Sequence, residues 1–269
     1  MISLVGGASL FWMSFTLAIS VGLPLGLLIL LHFRRGISGT AVLVGALTFV
    51  FSQLLLRVPL LDIFSTQSAY SALQANHFLY ILFLSLTAGI FEEGGRYLGF
   101  SHFLRNRWSW EDGVAFGIGH GGIEAFLLVG LTYVANLIYS FAINAGNYME
   151  LLGADLPPEA AEMIRDQLVN LPPSTFAAAG FERLFTMALH IGLSLMVLVG
   201  VSEGKRQYLL YAVLIHAGAN FGTSALASLD INVWVPEAFL ALVAAVSVWY
   251  IFAVQPRLTG NASIQESGE

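Results

Sequence analysis

Apolar residues run along this chain in seven long stretches, near 4–32, 40–61, 78–101, 111–142, 181–201, 207–229 and 237–255. A bilayer span needs about 20 mostly apolar residues, so each stretch predicts a membrane-crossing α-helix. The first begins almost at Met1 with no basic n-region, which reads as a retained helix rather than a cleaved signal peptide. The pattern predicts an all-α polytopic bundle of about seven helices, a single transmembrane domain over 1–258. Polar residues dominate only two segments. The connection near 143–180 carries Pro157-Pro158 before Glu159 and Glu162, a helix start, and Pro172-Pro173 closes it, so a short surface helix is expected there. The tail, 259–269, reads as disordered.

Composition agrees with the pattern. Of 269 residues 57% are hydrophobic and 10% charged, where a soluble domain carries roughly a quarter charged. This makes the lipid bilayer the first partner and leaves no feature that suggests nucleic-acid binding. Cysteine is absent, which excludes disulfides, thiolate metal sites and a cysteine nucleophile. The formal charge of −6 marks no binding face, because five of the acids fall in the long connection and two in the tail.

Basic residues orient the bundle. Arg34, Arg35, Arg105, Arg107, Lys205, Arg206 and Arg257 share one side, whereas the other keeps Arg57, Arg165 and Arg183. The positive-inside rule then puts the N-terminus outside, the C-terminus inside, and the 143–180 loop outside.

Four of the spans interrupt their apolar run with acids, amides or imidazoles: Glu92, Glu93 and Arg96; His120 and Glu124; His190; His216 and Asn220. Such groups are rare in hydrocarbon and mark functional sites. Counting inward from the cytoplasmic ends at about 1.5 Å per residue puts Glu93, His120, His190 and His216 all at roughly 12–17 Å depth. Stray polar residues would scatter. Glu92 and Arg96, His120 and Glu124, and His216 and Asn220 are each four apart, so each pair shares a helix face. Gly113, Gly117 and Gly121 recur every fourth residue on the helix of His120, a small-residue surface for close helix packing. Singly, each feature has a structural reading as an ion pair or an interhelical hydrogen bond. A common layer favours chemistry.

Hydrolysis needs a water, a base and donors for the oxyanion. Glu92 or Glu93 is the candidate base, His216 and Asn220 are candidate oxyanion donors, and His120 would orient water or protonate the leaving amine. Arg96, Glu124 and His190 would support them. Ser194 is the nearest serine to a histidine at this depth and a poor nucleophile. A second route uses zinc on His120, His190 and His216, three ligands with a position left open for water. No HExxH helix is present to select it over a metal-free, glutamate-activated water.

Phe91-Glu92-Glu93-Gly94-Gly95-Arg96, Phe116-Gly117-Ile118-Gly119-His120 and His216-Ala217-Gly218-Ala219-Asn220 resemble, in order, the motifs of the CPBP and PrsW superfamily of intramembrane proteases, most closely its YhfC-like branch. His190, following Glu182 and Arg183, resembles the histidine of the intervening helix. The resemblance covers residues 91–220. It implies peptide-bond hydrolysis of a membrane protein or peptide, with Glu92 or Glu93 activating water and His120, His216 and Asn220 completing the site. It also implies a prokaryotic cytoplasmic membrane. Two residues separate the acid pair from Arg96, as in the PrsW-like branch, where the CaaX branch has three, which argues against prenylated substrates.

The superfamily includes the seven-span scaffold subunit of gamma-secretase, so a non-catalytic scaffold that binds partner helices is the alternative reading. A proton-coupled transporter would also place acids and histidines at mid-depth, but no inverted repeat supports it.

Overall fold

The computed structural model describes residues 4–152 and 156–266, and every regular element among them is helical. In chain order these are α1 (Gly7–Arg35), α2 (Gly39–Ser65), α3 (Ser68–Gln74), α4 (His77–Phe103), α5 (Trp110–Ala145), α6 (Tyr148–Leu152), α7 (Pro158–Asn170), α8 (Pro173–Ser202), α9 (Gln207–Ala227) and α10 (Trp234–Glu266). Among the described residues seven helices, α1, α2, α4, α5, α8, α9 and α10, are long and apolar enough to cross a membrane. The chain is an all-α integral membrane protein.

Local chemistry explains where these helices begin and end. Ser38 caps α2 by accepting from the Ala41 amide, and Asn76 caps α4 by accepting from the Leu79 amide at 3.1 Å. Gly146 closes α5 in the left-handed region at φ 80°, a conformation that favours glycine. Three spans contain π-helical stretches: Val50–Arg57 in α2, Gly99–Phe103 in α4 and Ala125–Gly130 in α5. The last begins at the residue after Glu124. Such turns recur at functional sites.

The fifth span starts at Pro173, about two turns before the apolar run at 181, because proline is preorganised for a first helical position. The connection is correspondingly shorter, 146–172, and carries α7 where the paired prolines predict a helix. Residues 153–155 within it lie outside the described residues. The segment expected as a disordered tail, 259–269, carries the end of α10 to Glu266 and then leaves the described residues.

Two compact units divide the chain. One combines the described residues up to Leu23 with Ala125–Leu184. Its core is Val5, Met13, Tyr133, Ile143, Tyr148, Leu168 and Phe176 with their neighbours, reinforced by Thr16 Oγ1 donating to the Phe176 carbonyl at 2.6 Å.

The other unit, Pro24–Glu124 with Phe185–Glu269, holds Glu92, Glu93, Arg96, His120, Glu124, His190, His216 and Asn220. Glycine sets its helix spacing. A Cβ on Gly117 would lie 2.6 Å from the Ile191 Cα, one on Gly113 2.6 Å from Leu195 Cδ2, and one on Gly121 3.1 Å from the His190 Cβ. This face of α5 therefore meets α8 almost backbone to backbone. A Cβ on Gly119 would fall 2.0 Å from the Val42 carbonyl oxygen, and one on Gly45 2.2 Å from that of Phe116, which locks α2 to α5 from the opposite side. In lipid such contacts supply packing energy where no hydrophobic drive exists between helices.

Past the end of α8, Glu203 accepts from Arg257 Nη2 at 2.6 Å and lies 2.9 Å from Lys205 Nζ. The Arg257 hydrogen bond, with Lys205 beside it, pulls the Glu203 carboxyl down to about 2.

Three outcomes follow. Gly119→Ala must displace backbone and should destabilise the fold by about 1–3 kcal/mol, read by detergent-titrated unfolding. Gly26→Ala, with open space around its Cβ, should be neutral or slightly stabilising. Because the folded value of Glu203 lies below the ordinary 4.5, its contribution is fully present above that value and disappears as pH falls toward about 2. A carboxyl NMR titration should find its midpoint near 2, moving up toward 4.5 in Arg257→Ala.

Candidate active site

Four helices of the second unit converge on one buried layer. Helix α4 supplies Glu92, Glu93 and Arg96, α5 supplies His120 and Glu124, α8 supplies His190 and Ser194, and α9 supplies His216. Arg96 is fully buried, the largest side chain so enclosed. Its Nε donates to the Glu93 carboxylate, 3.1 Å from Oε1 and 3.0 Å from Oε2. Its Nη1 donates to the His190 carbonyl at 3.1 Å and to Ser194 Oγ at 2.7 Å, and its Nη2 reaches His190 Nδ1 at 2.7 Å.

The pairing within α4 differs from the spacing argument. Arg96 joins Glu93, three residues back, rather than Glu92, four back. Both offsets put side chains on neighbouring positions of a helix, and the partners on α8 and α9 select the nearer acid. Glu92 instead turns to α5, where its Oε2 lies 3.0 Å from His120 Nε2. Glu93 also receives His216 Nδ1, 2.7 Å from Oε1. The other ring nitrogen of His216, Nε2, stands 3.9 Å from Glu92 Oε2. The two adjacent acids thus face different partners.

Packing orients His120. Phe116, one turn earlier on α5, stacks on its ring at 6.3 Å and 19°, and Phe49 of α2 meets it edge-on at 5.3 Å. Its Nδ1 is buried without a hydrogen-bond partner. The His190 ring follows at 5.3 Å, and His216 lies 5.6 Å beyond His190. His190 Nε2 approaches Glu124 Oε2 to 2.7 Å. Of the residues in the layer Glu124 is the most accessible, with 12% of its side chain exposed.

Of two further sequence candidates, one lies outside this network and the other is a structural link within it. Asn220, half-buried one turn after His216, makes no hydrogen bond to the cluster among the described residues. Ser194 donates its hydroxyl to the His190 carbonyl at 2.8 Å and accepts from Arg96, so no base is placed to activate it. The sequence reading missed the roles of Phe116, Phe49 and Ser194. Phe116, four residues before His120, was the one with a visible signal.

A sequence model of the family described as YhfC intramembrane metalloprotease matches residues 19–240. The chain belongs to that family. It is 38% identical over 240 residues to the uncharacterized membrane protein YhfC of Bacillus subtilis strain 168, an alignment that covers 87% of this chain and 92% of the relative. No solved structure matches the chain. All the polar residues of the layer fall within the stretch matched to the YhfC family, and membership supports a membrane protease role.

The family's description raises the question of a metal, and the donor set can be tested for fit. Ligand atoms of Glu92, His120, Glu124 and His190 all lie within 4.8 Å of one another. Imidazole and carboxylate suit a divalent cation such as zinc. Donors about 2.0–2.2 Å from a tetrahedral zinc stand roughly 3.3–3.5 Å apart. The separations of 3.0 Å between His120 and Glu92 and of 3.9 Å between His216 and Glu92 lie on either side of that. The residues fit. His216 lies outside the tightest foursome, yet it carries the arrangement expected of a ligand, an imidazole whose far nitrogen is bound to a carboxylate.

Proposed function

We propose that this YhfC-family protein is an intramembrane endopeptidase whose metal is held by His120, His216 and Glu92, with Glu124 as the base that activates water. The observation that carries the reading is the different surroundings of the carboxylates. Glu93 is committed to Arg96 and His216, Glu92 faces His120, and Glu124 is the most accessible acid of the layer. Two histidines and one glutamate form a ligand set known for catalytic zinc, with a second carboxylate as base. The metal, when bound, supplies Lewis acidity at the scissile carbonyl.

The chain's own groups do the rest. Glu124 takes a proton from water as the water oxygen attacks the carbonyl carbon, and returns it to the departing amine nitrogen as the C–N bond breaks. His190 holds Glu124 in place through the 2.7 Å contact. Asn220, on the same helix as His216, can donate its amide to the oxyanion. Glu93 keeps His216 oriented. The substrate is a membrane-embedded or membrane-anchored peptide segment, and the protein sits with its N-terminus outward.

Cleavage of a membrane-anchored reporter in proteoliposomes tests the chemistry. Glu92→Gln, His120→Ala and His216→Ala should lose both the bound metal and cleavage. Glu124→Gln should keep the metal and lose cleavage by about 100-fold or more. Full activity in Glu124→Gln, or wild-type cleavage that persists after chelation has removed all metal, overturns the reading. Orientation is checked separately. The chain lacks cysteine, so Lys205→Cys should react with a membrane-impermeant thiol reagent only after the cells are opened, and Glu159→Cys in intact cells.

A further inference from the structure

We infer that Arg96 fixes His190 in the tautomer protonated at Nε2, which makes His190 a positioning residue for Glu124 and removes it from the metal ligands. The inference rests on the metalloprotease reading above for the identity of the ligands, but its core is hydrogen-bond accounting. A guanidinium has five N–H donors, no acceptor, and does not deprotonate in proteins. The 2.7 Å contact between Arg96 Nη2 and His190 Nδ1 therefore runs in one direction, N–H to lone pair.

A neutral imidazole has a single lone pair on its two nitrogens and a single N–H. With the lone pair of Nδ1 directed at Arg96, the proton must sit on Nε2, which lies 2.7 Å from Glu124 Oε2. Coordination through Nε2 would require a ring stripped of both protons, or a break in the Arg96 contact. That contact is well anchored. Arg96 Nη1 grips the carbonyl of His190 itself at 3.1 Å and Ser194 Oγ at 2.7 Å, and Ser194 donates back to the same carbonyl at 2.8 Å. The guanidinium is clamped to the turn of α8 that carries the ring.

His216 shows the opposite result from the same ion pair. Its Nδ1 faces Glu93 Oε1 at 2.7 Å, and that carboxylate is already bound to Arg96. A carboxylate accepts, so Nδ1 holds the proton and Nε2 keeps its lone pair on the side of Glu92. Arg96 and Glu93 together set adjacent rings, 5.6 Å apart, into opposite tautomers: one made a donor to Glu124, the other a ligand. Proximity alone would have chosen His190, since it belongs to the tightest foursome and His216 does not.

Glutamine separates the two roles. In His190→Gln the side-chain oxygen can accept from Arg96 while the amide nitrogen donates to Glu124, but an amide replaces an imidazole poorly as a metal ligand. Purified His190→Gln should retain wild-type zinc stoichiometry, with affinity changed by less than about threefold, whereas His120→Gln and His216→Gln should weaken it by about 100-fold or more. Loss of zinc by His190→Gln equal to that of His120→Gln overturns the inference. Histidine ¹⁵N NMR of the wild-type chain gives a second measurement that needs no variant to fold. Without metal, His190 should show an unprotonated Nδ1 and a protonated Nε2, His216 the reverse, and added zinc should move His216 Nε2 but not His190 Nε2. The reversed pattern at His190 overturns the proposal even in a protein that binds no zinc, an outcome that would sink the metal reading alone.

Discussion

The polar layer depends on satisfying one buried guanidinium. Arg96 is completely enclosed, in a membrane span, where an uncompensated charge is costly and survives only when paired and fully hydrogen-bonded. Its requirements reach well beyond its own helix. One side takes Glu93 from α4, and the other takes a carbonyl, a hydroxyl and a ring nitrogen from α8. Glu93 then has an oxygen for His216 on α9, and His190 has a nitrogen for Glu124 on α5. Four helices are tied to a single cation within two polar contacts. Charge-assisted contacts in low dielectric are stronger and more directional than neutral ones, which is why this network can dictate ring orientation as well as helix position.

Such a network forms only if the helices come close, and the contact surfaces near the layer are built for that. Gly117 and Gly121 admit α8 against α5, Gly119 and Gly45 admit α2 against α5, and a Cβ on Gly89 would lie 2.8 Å from the Val213 carbonyl oxygen where α4 meets α9. A Cβ on Gly121 would lie 3.1 Å from the Cβ of His190 itself. The same close approach that packs the bundle therefore limits the rotamers of a site residue, and steric and polar constraints converge on one side chain.

Much of this was legible in the chain. Seven apolar runs correspond to seven long helices, because hydrocarbon admits few other backbone solutions and the signal is long and redundant. The convergence of α4, α5, α8 and α9 was legible from depth, since helical rise is regular. Pairing was not. Spacing within α4 pointed to Glu92 and Arg96, but i, i+3 and i, i+4 neighbours are near equivalents, and groups on α8 and α9 decide between them. The contact of Glu124 was hidden for the same reason, as its partner lies on another helix. The first two turns of α8 were hidden because Phe176 to Gly180 read as loop after the paired prolines, although Pro173 suits a helix start. The π-helical turns leave no mark in hydropathy, because they shift register without changing composition.

The doubled acid has a physical explanation in this arrangement. Successive residues on a helix point about 100° apart, so Glu92 and Glu93 take different nearest partners, with His216 between them, 2.7 Å from Glu93 and 3.9 Å from Glu92. One acid must neutralise Arg96, or the guanidinium that organises α8 could not be buried. That acid is held by two donors, Arg96 Nε and His216 Nδ1, both on Oε1. A site with a single glutamate at this position would have either an organising cation without its counter-ion or no acid left to face His120. Two adjacent glutamates resolve the conflict. Glu93 stabilises the cation and sets His216, and Glu92, a third of a turn away, faces His120 outside the reach of the guanidinium's hydrogen bonds.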